Sequence, residues 1–195
     1  EDTSAKYQAT YNWQKHPSFN NGSTPNAVNS LYASSEHMFT FSTTAHWGMR
    51  TWEGGEVYFN PEIAAGVPFS TNLVGLGGFT NGEATKANGA QAKFYSARAF
   101  VRQTFNQEGE KVLLENDANQ ITQTVSSNRV VVTAGQFSTL DIFDDSKYAK
   151  DPRMQFMNWG NMTYLAYDYA ADARGYSWGL AGEWYLDNWV MRASR

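Results

Sequence analysis

Residues 135–160 read GQFSTLDIFDDSKYAKDPRMQFMNWG, which places Asp141, Asp144, Asp145 and Asp151 close in sequence to Arg153 and Trp159. Carboxylates beside a guanidinium and an indole can hold a hard cation, flank a glycosidic bond as acid and base, or hydrogen-bond a hydroxyl-rich solute. The same groups can also form plain salt bridges from a loop to a neighbouring wall. The spacing lacks the alternating ligands and closing Glu of an EF-hand, so no metal or other cofactor is expected. Carboxylate pairs such as Glu56 with Asp141 occur in any acidic chain, and His16, His37 and His46 complete neither a zinc spacing nor a nucleophile triad. No catalytic residue is assigned, and the chain is not expected to be an enzyme.

Other candidates lie on alternating segments that must position them. Five of the eight arginines, Arg50, Arg98, Arg102, Arg129 and Arg192, fall on the polar phase of period-2 stretches. Their planar donors match vicinal hydroxyls or carboxylates, although an inward Arg paired with Glu can equally brace a wall. Arg50 and Glu56 share a face across a short turn. Trp52 and Trp159 flank polar segments and are suited to stack on a sugar ring. Trp47, Trp178, Trp184 and Trp189 fall on the apolar phase, as an aromatic girdle at a lipid interface would.

Seven such segments are predicted as strands: 7–14, 37–50, 56–63, 95–105, 129–136, 176–184 and 189–193. In the fourth, Tyr95, Ala97, Ala99, Val101 and Phe105 are expected to face out, and Ser96, Arg98, Phe100, Arg102 and Thr104 in. Only Phe100 is out of place there. In the sixth, Tyr176, Trp178, Leu180 and Trp184 are expected outward. Residues 15–36 and 64–93 read as long loops, 106–128 either extends its flanking strands or forms a short hairpin, and 164–172 is open between a helical turn and an irregular segment. Apart from the one after Asn106, long and short connections alternate, as in outer-membrane barrels with long extracellular loops and short periplasmic turns. That order puts residue 1 on the periplasmic side and makes 135–160 the start of the third long loop, the one general porins commonly fold inward.

Charged residues make up only 17% of the chain, and Tyr and Trp supply 18 of its 30 aromatics. No apolar run is long enough for a membrane helix, while strands that alternate keep the mean hydropathy polar, here −0.55. Cysteine is absent, which removes thiol chemistry. A net charge of −4 without a basic block argues against nucleic acid. The first ten residues have no leader character, so any signal peptide is expected to lie outside this numbering.

The segments DIFDD, DPR with QFMNW, YDYAADARGYSWG, GMRTWEGGEVYFNPEI, GGFTNGEATK and YSARAFVRQTF together resemble the carbohydrate-selective porins of the OprB-like family, in the same order and over nearly the whole chain. Ser146 and Lys150 depart from it. The resemblance implies an all-β antiparallel transmembrane β-barrel of about sixteen strands, of which this chain is the N-terminal half, a single domain with an inward-folded constriction loop around 138–160. It implies passive diffusion of glucose and other small neutral sugars across a bacterial outer membrane, with outer-membrane lipid around the barrel and either a monomer or a homo-oligomer. Contrasting classes are a hydrolase on a β-barrel and a soluble sugar-binding β-domain. The residues expected to line the pore or bind substrate are Arg50, Trp52, Glu56, Arg98, Arg102, Arg129, Asp141, Asp144, Asp145, Arg153 and Trp159.

Overall fold

Alternation obliges each strand to put one set of side chains on either side of a pleated sheet. In the computed structural model the seven predicted segments do so as neighbours in one antiparallel sheet. The structure describes residues 2–20, 31–71, 80–87, 89–143, 146, 148–161 and 173–195; the 164–172 segment lies outside them. Among the described residues the strands are β1 (Thr3–His16), β2 (Glu36–Trp52), β3 (Gly55–Val67), β4 (Gly89–Asn106), β5 (Lys111–Leu114), β6 (Gln123–Ser126), β7 (Arg129–Phe137), β8 (Ser177–Leu186) and β9 (Trp189–Ser194), with one short helix, α1 (Ala84–Ala87). The large sheet runs β1-β2-β3-β4-β7-β8-β9 and is not closed; β5 and β6 pair with each other. Of the two readings of 106–128, the hairpin is the one that forms. The long connections after β1, β3 and β7 leave from one end of the sheet, and the two-residue turns at 53–54 and 187–188 from the other. Most strands outrun their predicted bounds, so the loops expected over 15–36 and 64–93 are shorter than read.

The two faces invert the usual arrangement. Tyr7, Tyr11, Trp13, Trp47, Trp178, Leu180, Trp184 and Trp189 are exposed on one face, while Thr40, Ser42, Thr44, Glu56, Asn60 and Glu62 on the other are at most 2% exposed. Connections from both ends fold over the polar face and cover it. Their apolar anchor is a cluster on that polar side: Tyr58, Phe100, Phe137 and Ala181 from the strands, Ile121 from 107–128 and Ile142 from the loop after β7. Phe100, the one residue that broke the polar phase of its strand, stacks on Tyr58 at 5.0 Å. Gly48 faces Tyr58 across β2 and β3, and a Cβ there would come within 2.5 Å of the ring, so only glycine leaves it room.

Three residues expected outward are corrected. Asn60 pairs with Arg98 but Pro61 pairs with Ser96, so Ala97 is an extra residue on β4. Pro61 has no amide hydrogen to donate, and a bulge is where a sheet tolerates that. Because side chains alternate with period 2, one added residue reverses every face beyond it. Tyr95 therefore turns inward and hydrogen-bonds Glu62, Ala97 is fully buried, and Phe94 takes the outward place at 70% exposure. Ala99, Val101 and Phe105, past the bulge, keep the outward phase. Tyr176 precedes β8 and is 5% exposed, packed on the polar side instead of facing out.

A nitroxide label at residue 94 should be relaxed by oxygen dissolved in the surrounding detergent or lipid, and one at residue 95 should be shielded from it. The reverse pattern would mean that the strand runs without the bulge.

Candidate functional site

Glu62 and Thr44 sit side by side because β2 and β3 pair in register at these positions. Taken out of water, a carboxylate at 1% exposure needs counter-charge and donors, and it receives both. Thr44 and Tyr95 donate their hydroxyl hydrogens to it, and Arg153 reaches it from the loop after β7 with Nη2 2.8 Å away. The same guanidinium donates through Nε to Glu83 at 3.0 Å and through Nη1 to Thr44 at 2.6 Å. Glu83 precedes α1, whose Lys86 lies 3.3 Å from Glu83 and 4.0 Å from Glu62. Two acids and two bases thus balance in a site where Arg153, Glu62 and Glu83 are all under 10% exposed. Gly82 donates its N–H to the Met157 carbonyl at 2.7 Å, tying the two loops to one another.

A second ion pair docks the start of the same loop. Arg98 grips Asp141 with two hydrogen bonds of 2.7 Å, the fork geometry that favours Arg over Lys. Asp141 closes a capping box with Ser138 at the head of a 3-10 turn, which fixes its carboxylate before it meets Arg98. The Tyr176 ring lies 5.0 Å from the Arg98 guanidinium and 5.4 Å from the Lys86 ammonium, an aromatic face shared by two cations.

Between these loops, the polar face and residues 107–128 is a cavity of about 680 Å³ lined by Arg98, Arg102, Arg129, Asp141 and Arg153 of the expected residues. Arg102 and Arg129 each donate to a backbone carbonyl, of Asn119 and Ser126, and lie over the rings of Tyr58 and Tyr185. Neither has a carboxylate partner among the described residues. Of the other expected residues that the structure describes, none lines this cavity. Arg50 pairs with Asp2 at 3.2 Å and donates to the Thr122 carbonyl, and Glu56 accepts from Gln123. Trp52 is corrected to the apolar face: the register shifts between Arg50 and Trp52, so its indole lies over Gly55 and donates to Gln103. Trp159 is half-buried in a 3-10 turn away from the cavity, and Asp144 and Asp145 lie outside the described residues.

Sequence reasoning passed over Glu62, Glu83, Lys86, Tyr95 and Tyr176. Glu62 already carried the polar phase, but nothing local marks it as the acid that a loop arginine ninety residues later will reach. No group of three metal-ligating side chains occurs among the described residues. Asp151, a candidate cation ligand by sequence, instead accepts the N–H groups of Arg153 and Met154.

Burial alone would raise the Asp141 and Glu83 carboxyls, but Arg98 for the first, and Lys86 and Arg153 for the second, outweigh it and hold both below their ordinary values. Burial would likewise lower Lys86, yet Glu83 holds its ammonium well above the usual lysine range. A depressed carboxyl contributes stability that is fully present above its free value near 4 and is lost as pH falls through its folded value. Loop docking should therefore be constant from pH 5 to 8 and fail in acid, read as sharpening of the spectrum of a spin label at the exposed Met154. At neutral pH, Arg153→Ala should release the label too, because leaving buried carboxylates unpaired costs about 3–5 kcal/mol.

Comparison with known proteins agrees with this architecture. No curated protein and no solved structure matches the chain. The family model described as carbohydrate-selective porin, OprB family, matches residues 32–193, which takes in every strand of the large sheet except β1. A match over that much of the chain, on an antiparallel sheet with one polar and one aromatic face, shows that the chain belongs to the OprB family of carbohydrate-selective porins.

Proposed function

We propose that this chain forms part of the wall of an outer-membrane β-barrel through which neutral sugars, glucose among them, diffuse passively. The supporting observation is the inversion of the sheet: buried charge and amides around a polar cavity on one face, bare Trp, Tyr and Leu on the other. A soluble sugar-binding domain would place such an aromatic face against a core, and a patch of this kind calls for an apolar surround. The family is one of transport channels.

Two further features belong to the same reading. The edges of β1 and β9 would pair with further strands, since unpaired backbone at membrane depth costs several kcal/mol per group. With the loop after β7 docked by Asp141 and Arg153, residues 138–160 narrow the channel, and Arg98 and Arg102 present planar donors to passing hydroxyls. Asp144 and Asp145 are proposed to join them.

In planar bilayers the full-length protein should show single-channel steps whose current is reduced by monosaccharide. Arg98→Ala should weaken that reduction several-fold, in line with about 0.5–1.5 kcal/mol for each hydrogen bond lost, and should lower any preference for anions. Unchanged sugar block in that variant would make Arg98 a brace for the wall. Deleting 146–151 should raise conductance and relax size selection; identical behaviour would put that loop outside the path.

A further inference from the structure

β4 and β7 are hydrogen-bonded neighbours whose pairing ends at Asn106 and Arg129, yet residues 107–128 separate them where two residues suffice at 53–54 and 187–188. The surplus does not trail into solvent. It closes at its base, Gln107 N–H to the Asn128 carbonyl at 2.9 Å, forms the β5-β6 hairpin, and lays its tip across the polar face of strands it does not pair with.

The tip is tied down by specific bonds. Lys6 of β1 donates to the Asn116 carbonyl at 2.8 Å, Asn60 of β3 donates to the Asn119 side chain at 2.8 Å, and Arg102 of β4 donates to the Asn119 carbonyl at 2.9 Å. Ile121 is 1% exposed in the Tyr58–Phe100 cluster and gives its N–H to the Tyr58 hydroxyl. Asn119 has φ of 56°, a left-handed conformation that Asn tolerates better than most residues. Asp117, Ala118, Asn119 and Gln120 line the same cavity as Arg102 and Arg129.

We infer that residues 107–128 form a second narrowing of the channel, entering from the end of the sheet opposite the long loops, where Asn119, Gln120, Arg102 and Arg129 together line the path and read neutral, hydroxyl-bearing solutes. This rests on the channel reading above. The chemistry is complementary: carboxamides both donate and accept, guanidiniums only donate, and a sugar hydroxyl can satisfy either. Arg102 and Arg129 have no carboxylate partner among the described residues, whereas Arg98 and Arg153 are neutralised by the docked loops. Asp117 is the one carboxylate that the segment adds to this lining, so two guanidiniums leave the second narrowing net positive, and it should disfavour cations.

Because the chain has no cysteine, single cysteines report cleanly. Ala118 is exposed at the tip, and its methyl makes no hydrogen bond; Leu113, 60% exposed on the hairpin, lies off the cavity lining. In full-length protein in a planar bilayer, modification of Ala118→Cys by a bulky neutral methanethiosulfonate from the periplasmic side should cut single-channel conductance at least twofold and slow monosaccharide entry. The same reagent on Leu113→Cys should change neither. Conductance and sugar block unchanged at residue 118, with modification verified by mass, would overturn the inference and leave the segment as a wall brace. Failure of the unmodified protein to show any steps would overturn the channel reading itself.

Discussion

A guanidinium removed from water must be paid for in counter-charge, and Arg153 meets that demand from two directions at once. Glu62 comes from the strand wall and Glu83 from the loop after β3, so a single side chain holds both loops to the polar face. Isolated surface ion pairs are worth little. Here all three groups are under 10% exposed and their donors are used on Thr44 as well as the acids, which is the condition under which loss of one member costs several kcal/mol. The shape of the cavity depends on that arrangement, because the loops that bound it have few other apolar anchors among the described residues.

The wall that receives these loops is itself set by two local irregularities. Pro61 breaks the β3-β4 ladder and turns Tyr95 inward, which supplies Glu62 with a hydroxyl donor and gives Arg174 a ring to lie over at 4.6 Å. The shift beside Trp52 does the opposite for an aromatic, moving it to the apolar side where its indole finds Gln103. Neither changes the fold. Each decides which chemistry faces the cavity, since a one-residue slip exchanges the two faces of a strand.

Covering the polar face from both ends also explains how a sheet this polar can be so well buried. The loops after β3 and β7 dock through buried ion pairs, whereas 107–128 docks through carboxamides, backbone carbonyls and Ile121. Charges need partners of opposite sign and so dock at defined points. Amides can pair with one another and with arginine in several ways, so the segment docks without a fixed set of charge partners.

Period-2 alternation determined the seven strands of the large sheet and the exposure of Trp178 and Trp189, because a residue's face depends only on its parity within a regular strand. Motif order determined the family, and the polar phase put Arg98, Arg102 and Arg129 on the face where the cavity lies. Parity alone misplaced Tyr95 and Ala97, whose faces depend on how a neighbouring strand pairs, and it gave no sign that Tyr176 turns back over Arg98; Trp52, beyond the predicted end of its strand, was outside its reach. The partnership of Arg153 with Glu62 and Glu83 was also beyond it. Those residues are far apart in the chain and meet only when two loops fold over the same patch of sheet, so the choice among several nearby acids is made by tertiary geometry and by the cost of burying any of them unpaired.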